Sequence, residues 1–208
     1  MACGAAQADV VYQLNYEFSG AQAPAGSGPW MTVTFAQNGA NTVRMTIANS
    51  LTGIESVGAF YFNIVQPILP TSVGVGFNGG LSSPGLSGAI FQKAGNPLSD
   101  ANFKADGDGY FDFKLTFDSH AFNGTDVAVF DLTGAGLLES YFAELSEPGG
   151  GSGSYHAAAH VQRLGQNGED SGWIGDGVVI PLPPAAWAGL SGLAGVGAIG
   201  VIRRRRTR

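Results

Sequence analysis

The sequence predicts an all-β fold: an antiparallel β-sandwich or jelly-roll-like domain with one short helix, followed by a single C-terminal transmembrane helix. Three observations carry this prediction. Apolar and polar residues alternate over several short segments, and glycine, proline and asparagine separate these segments. An uncharged stretch of 18 residues then precedes a cluster of arginines. Alternation with a period of two is typical of half-buried antiparallel strands.

The first strand is predicted from Tyr12 to Phe18, where every second residue is a large apolar side chain. The same alternation predicts strands at 31–35, 43–47 and 111–117, less regular strands at 58–65 and 126–132, short strands at 73–77 and 89–92, and a final strand at 155–164. Seven or more short strands separated by turns are typical of a sandwich or a jelly roll. We therefore expect one β domain over residues 9–164.

One segment departs from the alternation. Its apolar residues recur at spacings of three and four: Leu137, Leu138, Tyr141, Phe142 and Leu145. This spacing predicts one or two turns of amphipathic helix. The glycine-rich residues 149–154 then predict a flexible loop, and the polar, glycine-rich residues 165–180 predict a spacer that follows the domain.

The C-terminal region combines an apolar stretch with a basic end. Residues 185–202 carry no charge, and as a helix they would span about 27 Å, close to the ~30 Å of a bilayer core. The basic end contains Arg203, Arg204, Arg205, Arg206 and Arg208. Clustered arginines favour the cytoplasmic side, so the β domain is expected outside. The alternative is a buried core helix, which the length of the stretch and the arginines disfavour.

Residues 179–208 resemble a PEP-CTERM sorting signal. The three parts are the motif Pro181, Leu182, Pro183 and Pro184, the apolar segment 185–202 and the basic tail 203–208. The resemblance implies recognition by an exosortase-type membrane protease, cleavage near the motif and only transient anchoring in the inner membrane of a Gram-negative bacterium. It also implies an association with extracellular polysaccharide and biofilm. Leu182 replaces the glutamate of the Pro-Glu-Pro form, as in the common Pro-Leu-Pro variant.

The first eight residues match the end of a signal peptide. Ala6-Gln7-Ala8 fits the small-x-small rule, which predicts cleavage after Ala8 and a mature chain from Asp9. No apolar region precedes this site, so residues 1–8 are interpreted as the remnant of a truncated signal peptide. The alternative is an ordinary frayed N-terminus. Cys3, the single cysteine of the chain, lies within this segment, so a mature chain would contain no disulfide bond.

The distribution of charge bears on the partners. The chain has 10 basic and 16 acidic residues, and five of the basic ones belong to the C-terminal tail, so the remainder carries a net charge of −11. This excess of negative charge disfavours nucleic acid and anionic membrane surfaces as partners.

Calcium is the one cofactor that the sequence suggests. Asp106, Asp108 and Asp112 lie in a glycine-containing segment, and alternating carboxylates can supply the oxygen ligands that Ca²⁺ prefers. Compared with an EF-hand loop, Lys104 and Leu115 occupy positions where ligands are required. The alternative is a tight Asp-Gly turn that leads into the next strand.

Other candidate residues are histidines and tryptophans. His156 and His160 would lie about 13 Å apart on a strand, too far for one metal ion, so the pair is rejected and His160 is assigned a structural role. Trp30 and Trp173 are candidates for stacking on sugar rings, with packing as the alternative. The sequence contains no serine-hydrolase elbow, phosphate-binding loop or zinc-protease motif.

These patterns predict an exported, non-enzymatic cell-surface or matrix protein without a catalytic site. The apolar residues 185–202 predict the inner membrane as a partner before processing. The resemblance to a PEP-CTERM sorting signal implies an exosortase-type protease and extracellular polysaccharide as further partners. The alternative is a carbohydrate-binding module or a carbohydrate-active enzyme that uses a cleft of the β domain.

Overall fold

Antiparallel strands make up nearly all of the regular secondary structure in this computed structural model, which describes residues 8–65, 68, 72–76, 86–91, 103–106, 109–151 and 153–177. In chain order the strands are β1 (Val10–Glu17), β2 (Met31–Gln37), β3 (Thr42–Asn49), β4 (Ser56–Phe62), β5 (Gly74–Gly76), β6 (Leu86–Phe91), β7 (Phe103–Ala105), β8 (Gly109–Phe111), β9 (Phe113–Phe117), β10 (Phe122–Asn123), β11 (Val127–Thr133), β12 (Glu147–Pro148), β13 (Ala157–Leu164) and β14 (Asp170–Asp176). A short 3-10 helix spans Glu139–Phe142. The predicted all-β, antiparallel class is confirmed.

Two sheets contain these strands. The large sheet has the order β5-β11-β3-β2-β1-β14-β13-β4-β9-β6, and β10 pairs with β4 beside this path. The small sheet has the order β12-β8-β7. Every pairing among the described strands is antiparallel.

The large sheet curls around its own core. Phe35 of β2 and Phe62 of β4 have ring centroids 5.7 Å apart, although four strand spacings separate them along the sheet. In a flat sheet this separation would be about 19 Å. Phe142 of the 3-10 helix stacks on Phe35 at 4.5 Å, so the helix covers part of the apolar interior. The inner face therefore encloses the main core.

A second, smaller core lies on the outer face of the large sheet. Phe111 of β8 and Phe103 of β7 pack against Tyr61 of β4, with ring centroids 5.8 and 6.1 Å apart. Ala105 and Ala158 belong to the same buried cluster. The small sheet thus packs on the outer face and covers part of it.

The sequence patterns and the observed elements agree at β2 and β3, but the predicted strand 111–117 is wrong as a single strand, because the structure divides it between β8 and β9 in different sheets. The segments predicted at 31–35 and 43–47 lie within β2 and β3, and their buried and half-buried residues alternate as expected. The predicted helix is the 3-10 helix Glu139–Phe142. In the part of the chain that the structure describes, no helix is long and apolar enough to cross a membrane, and the expected transmembrane segment 185–202 lies outside the described residues.

The predicted spacer at residues 165–180 is wrong for residues 170–176. Asp170–Asp176 forms β14, which pairs with β1 on one side and β13 on the other. The glycines of this segment resemble those of a linker, but packing requires them. A Cβ on Gly175 would lie 2.7 Å from Tyr155 Cδ1, and one on Gly172 would lie 2.8 Å from Ala21 Cβ. The predicted boundary of the domain at 164 is therefore also wrong, since the compact unit extends to Gly177.

Two truncations test the role of β14. A chain that ends at Gly177 is expected to unfold in one cooperative transition, because it retains the complete large sheet. A chain that ends at Leu164 is expected to lose cooperative unfolding, because it lacks two strand ladders and the buried side chain of Ile174. Circular dichroism melts and limited proteolysis distinguish the two. A Leu164-terminated chain with an unchanged melting transition would contradict the assignment of β14 to the core.

Candidate functional site on the outer face of the sheet

One row of side chains crosses four neighbouring strands on the outer face. Trp173 of β14 pairs with His160 of β13, His160 pairs with Ala59 of β4, and Ala59 pairs with Thr116 of β9. Three strand spacings give this row a length of about 14 Å. The row combines an indole, an imidazole, a methyl group and a hydroxyl on one surface.

Trp173 is half-buried, and its neighbours hold it in place. Its ring centroid lies 4.9 Å from that of Tyr61 and 5.0 Å from that of His160. Its backbone N–H donates to Ser19 Oγ at 3.0 Å, and its carbonyl accepts the Phe18 N–H at 3.1 Å. These contacts define the position of the indole on the outer face.

Two groups of opposite charge lie near His160. Lys114 Nζ lies 5.7 Å from the ring centroid of Tyr61, which is its strand partner in β4. Burial lowers the pKa of His160 below its ordinary value, the positive charge of Lys114 lowers it further, and the carboxylate of Asp106 acts in the opposite direction. We define the outer-face site as Trp173, His160, Tyr61, Lys114 and Asp106. It offers flat rings together with hydrogen-bond donors and an acceptor.

The second tryptophan considered for sugar stacking has a different environment. Trp30 is buried and belongs to the main core inside the curl. Its ring is therefore not available to a ligand at the surface. Of the two candidates only Trp173 lies where stacking on a sugar ring is possible.

A second polar arrangement lies where β13 begins and β14 ends. Asp176 Oδ2 contacts His156 Nδ1 at 2.6 Å, and Asp176 Oδ1 accepts the backbone N–H groups of His156 and Ala157 at 2.8 and 3.1 Å. The imidazole stacks on Tyr12, with centroids 4.4 Å apart and planes 8° apart. The Tyr12 hydroxyl donates to the Phe142 carbonyl, and burial and the charge of Asp176 raise the pKa of Tyr12. These contacts tie the start of β13 to the end of β14.

The strand interpretation is confirmed for His160 and is wrong for His156. His160 lies within β13 on the outer face, whereas His156 precedes β13 and stacks on Tyr12. Their side chains have different neighbours. His160 is part of the outer-face site in addition to its packing role against Trp173.

The calcium candidates are distributed over a hairpin and the strand that follows. Asp106 follows β7 in a turn, with φ of 45°, and Asp108 lies outside the described residues. The β7–β8 hairpin fits the turn interpretation of this segment. Among the described residues, no group of three His, Cys, Asp or Glu side chains is placed to hold a metal ion. Calcium binding therefore stays a prediction.

Asp112 has structural partners at the end of β4. Its Oδ2 accepts the Ile64 N–H at 3.0 Å, and its own N–H donates to Asn63 Oδ1 at 3.0 Å. Burial raises the pKa of Asp112 to about 6, the charges of Glu147 and Glu144 raise it too, and the hydrogen bond from Ile64 opposes them. Asp112 thus anchors the end of β4 to the β8–β9 connection.

Several residues of the predicted sorting machinery lie beyond the described part of the chain. They are Pro181, Leu182, Pro183, Pro184, Arg203, Arg204, Arg205, Arg206 and Arg208. Ala8, the predicted signal-cleavage residue, is exposed, and Asp9 alone separates it from β1. Cleavage after Ala8 would leave β1 complete.

Sequence patterns miss three residues that the fold brings to these sites. Tyr61 and Lys114 lie in predicted strands, but only the pairing of β4 with β9 places them together. Asp176 falls in the predicted spacer, although its position two residues after the apolar Ile174 continues a period of two.

No family model, curated protein or solved structure matches the chain.

Replacement of Asp176 tests the contacts at the end of β14. Asp176→Ala is expected to lower the free energy of unfolding by about 2–4 kcal/mol, because two backbone N–H groups and an imidazole lose their acceptor. Asp170→Ala is the matched control on the same strand. Asp170 is exposed and its Oδ1 accepts the N–H of the adjacent Ser171, so a change within about 0.5 kcal/mol is expected. Urea unfolding at pH 7 measures both variants, and equal effects would refute the assigned role.

The raised pKa of Asp112 predicts a pH dependence of stability. The folded protein binds this proton more tightly than the unfolded chain, so the free energy of unfolding falls as pH rises from about 4 to about 6. Asp112→Asn is expected to stabilise the protein at pH 7 by about 1–2 kcal/mol and to have no such benefit below about pH 4. The asparagine Oδ1 can still accept the Ile64 N–H.

Glu147→Gln provides the control for this pH effect. Removing the charge of Glu147 is expected to lower the pKa of Asp112 and to move the pH window downward. Urea unfolding between about pH 3.5 and 7.5 measures the effect. A variant Asp112→Asn that is less stable than the parent at pH 7, or a pH dependence unchanged by it, would contradict the account.

Proposed function

We propose that this chain is an exported, non-enzymatic protein of the bacterial cell surface or extracellular matrix, directed there by a C-terminal sorting signal. Residues 181–208 form the signal, an exosortase-type membrane protease reads it, and residues 185–202 hold the chain in the inner membrane until cleavage. The β domain is then released to the cell surface, in a setting rich in extracellular polysaccharide.

The observation that carries this proposal is the position of the domain boundary. The compact unit ends at Gly177, and only residues 178–180 separate it from the proline motif that begins at Pro181. Cleavage within 181–184 would therefore remove the apolar segment and the arginines while every strand of the large sheet is retained. A sorting signal requires such a separation, because processing must leave the exported domain folded.

The charge of the domain also supports export to the cell exterior. Residues outside the arginine cluster carry a net charge of −11, and few of them are basic. A high net charge of one sign keeps a protein soluble and limits its association with anionic surfaces. The domain would then leave the membrane once the apolar segment is removed.

The non-enzymatic part of the proposal rests on the role of Asp112. A carboxyl group with a raised pKa is a candidate for acid–base catalysis, but a carboxylate oxygen of Asp112 accepts the Ile64 N–H, and this contact gives the residue a role in folding. Hydrolysis of a polysaccharide by the purified chain, abolished in Asp112→Asn with the fold intact, would overturn this part.

The intact mass of the mature protein tests the sorting proposal. In an exosortase-producing Gram-negative host, the expected species lacks residues 203–208 and ends within or near residues 181–184. The double substitution Pro181→Ala, Pro183→Ala is expected to retain the basic tail and to remain in the inner-membrane fraction. Pro148→Ala, in the exposed strand β12, is the matched control and is expected to be processed normally. A mature parent chain that retains the arginines in this host would refute cleavage.

A further inference from the structure

We propose that the outer-face site binds a neutral polysaccharide, with one sugar ring stacked on Trp173 and sugar hydroxyls bonded by Lys114, Asp106 and His160. This binding site is independent of the sorting signal, because every residue in it belongs to the folded domain.

The position of Trp173 suits a stacking contact. The central strand β14 carries it, the hydroxyl of Ser19 fixes its backbone, and Tyr61 and His160 support its ring. An aromatic ring that is already held in place loses little conformational entropy when a ligand stacks on it. The C–H face of a pyranose ring is an apolar surface of suitable shape for such a platform.

The partly accessible groups of the first row are Trp173, His160 and Thr116. Ala59 lies between His160 and Thr116 and carries only a methyl group, whereas Ala158 of the adjacent row is fully buried. The first row extends about 14 Å across four strands. This length suits an extended oligosaccharide better than a single sugar ring.

The polar groups favour neutral sugars. A hydroxyl both donates and accepts hydrogen bonds, and the site presents a cationic donor in Lys114 and an anionic acceptor in Asp106 near the same imidazole. An acidic polymer would meet the carboxylate of Asp106 and a domain of net charge −11. Charge complementarity therefore selects an uncharged chain with many hydroxyl groups.

The surface does not have the composition of a protein-docking patch. The large apolar side chains that are exposed among the described residues are Val11, Tyr16, Ile54, Val127 and Leu145. None of them belongs to the outer-face site, whose partly accessible groups are an indole, an imidazole and charged side chains. Interfaces between proteins concentrate apolar and aromatic area with depleted charge at their centre.

Affinity electrophoresis of the full chain in neutral detergent tests the proposal. The probes are dextran, laminarin and galactomannan as neutral polysaccharides and polygalacturonate as an acidic one. At least one neutral polysaccharide is expected to retard the parent chain, with little or no retardation by polygalacturonate. Trp173→Ala is expected to weaken the apparent association constant about tenfold, and Trp173→Phe less, because phenylalanine keeps a ring.

Lys114→Gln and Lys104→Gln form a matched pair. Both lysines lie over a tyrosine ring, Lys114 over Tyr61 and Lys104 over Tyr110, and both changes remove one positive charge. Lys104 alternates with Phe103 and Ala105 and therefore points away from the second core. Lys114→Gln is expected to weaken binding several-fold, whereas Lys104→Gln is expected to leave it unchanged.

Thermal melts of each variant separate binding from folding, since Trp173 also packs on the second core. If Trp173→Ala lowers the melting temperature, the comparison of Lys114→Gln with Lys104→Gln tests the binding site instead. The proposal is overturned if no neutral polysaccharide retards the folded parent chain or if polygalacturonate alone does so. Equal retardation of the parent and a folded Lys114→Gln, or of the parent and a folded Trp173→Ala, would also overturn it.

Discussion

The insertion of β14 between β1 and β13 is the constraint on which the rest of the structure depends. This strand joins the N-terminal strands β1, β2 and β3 to the later strands β13 and β4, so the large sheet is continuous only when β14 is present. Its neighbours approach closely because Gly172 and Gly175 have no side chains. Any side chain at Gly175 would collide with the ring of Tyr155. The glycines that weaken a strand locally thus permit the packing that stabilises it.

The side chains of β14 contact different parts of the molecule, because side chains alternate between the faces of a strand. Ile174 is buried in the main core inside the curl, and Trp173 lies on the outer face. Asp176 accepts the N–H groups that begin β13. The main core, the outer-face site and the start of the adjacent strand therefore depend on one register. A shift of one residue would exchange Ile174 and Trp173 between the faces.

The sequence predicts those parts of the fold that depend on local alternation. β2 and β3 follow from period two, because each has one face in the core and one in solvent. β14 is not predicted by alternation, because glycine at two of its positions hides the pattern. Glycine is required at these positions because Tyr155 and Ala21 lie against them, and only the folded chain places those residues there. The outer-face site is harder still to predict. Its residues come from different strands, and the pairing of those strands is a property of the whole sheet.

The proposed cleavage of the tail affects the proposed polysaccharide binding, because it changes the net charge of the protein. The proposed cleavage removes the arginines and leaves a domain of net charge −11, which lowers its affinity for acidic polymers at distances within the Debye length of ~8–10 Å. If the protein is exported as proposed, a domain of this charge needs an uncharged type of interaction in order to associate with a polysaccharide matrix. Stacking on an aromatic ring is such an interaction, because salt and net charge affect it little. In the proposed site the indole of Trp173, on a central strand of the sheet, supplies this stacking surface. The strand ends just before the segment that the protease is proposed to remove.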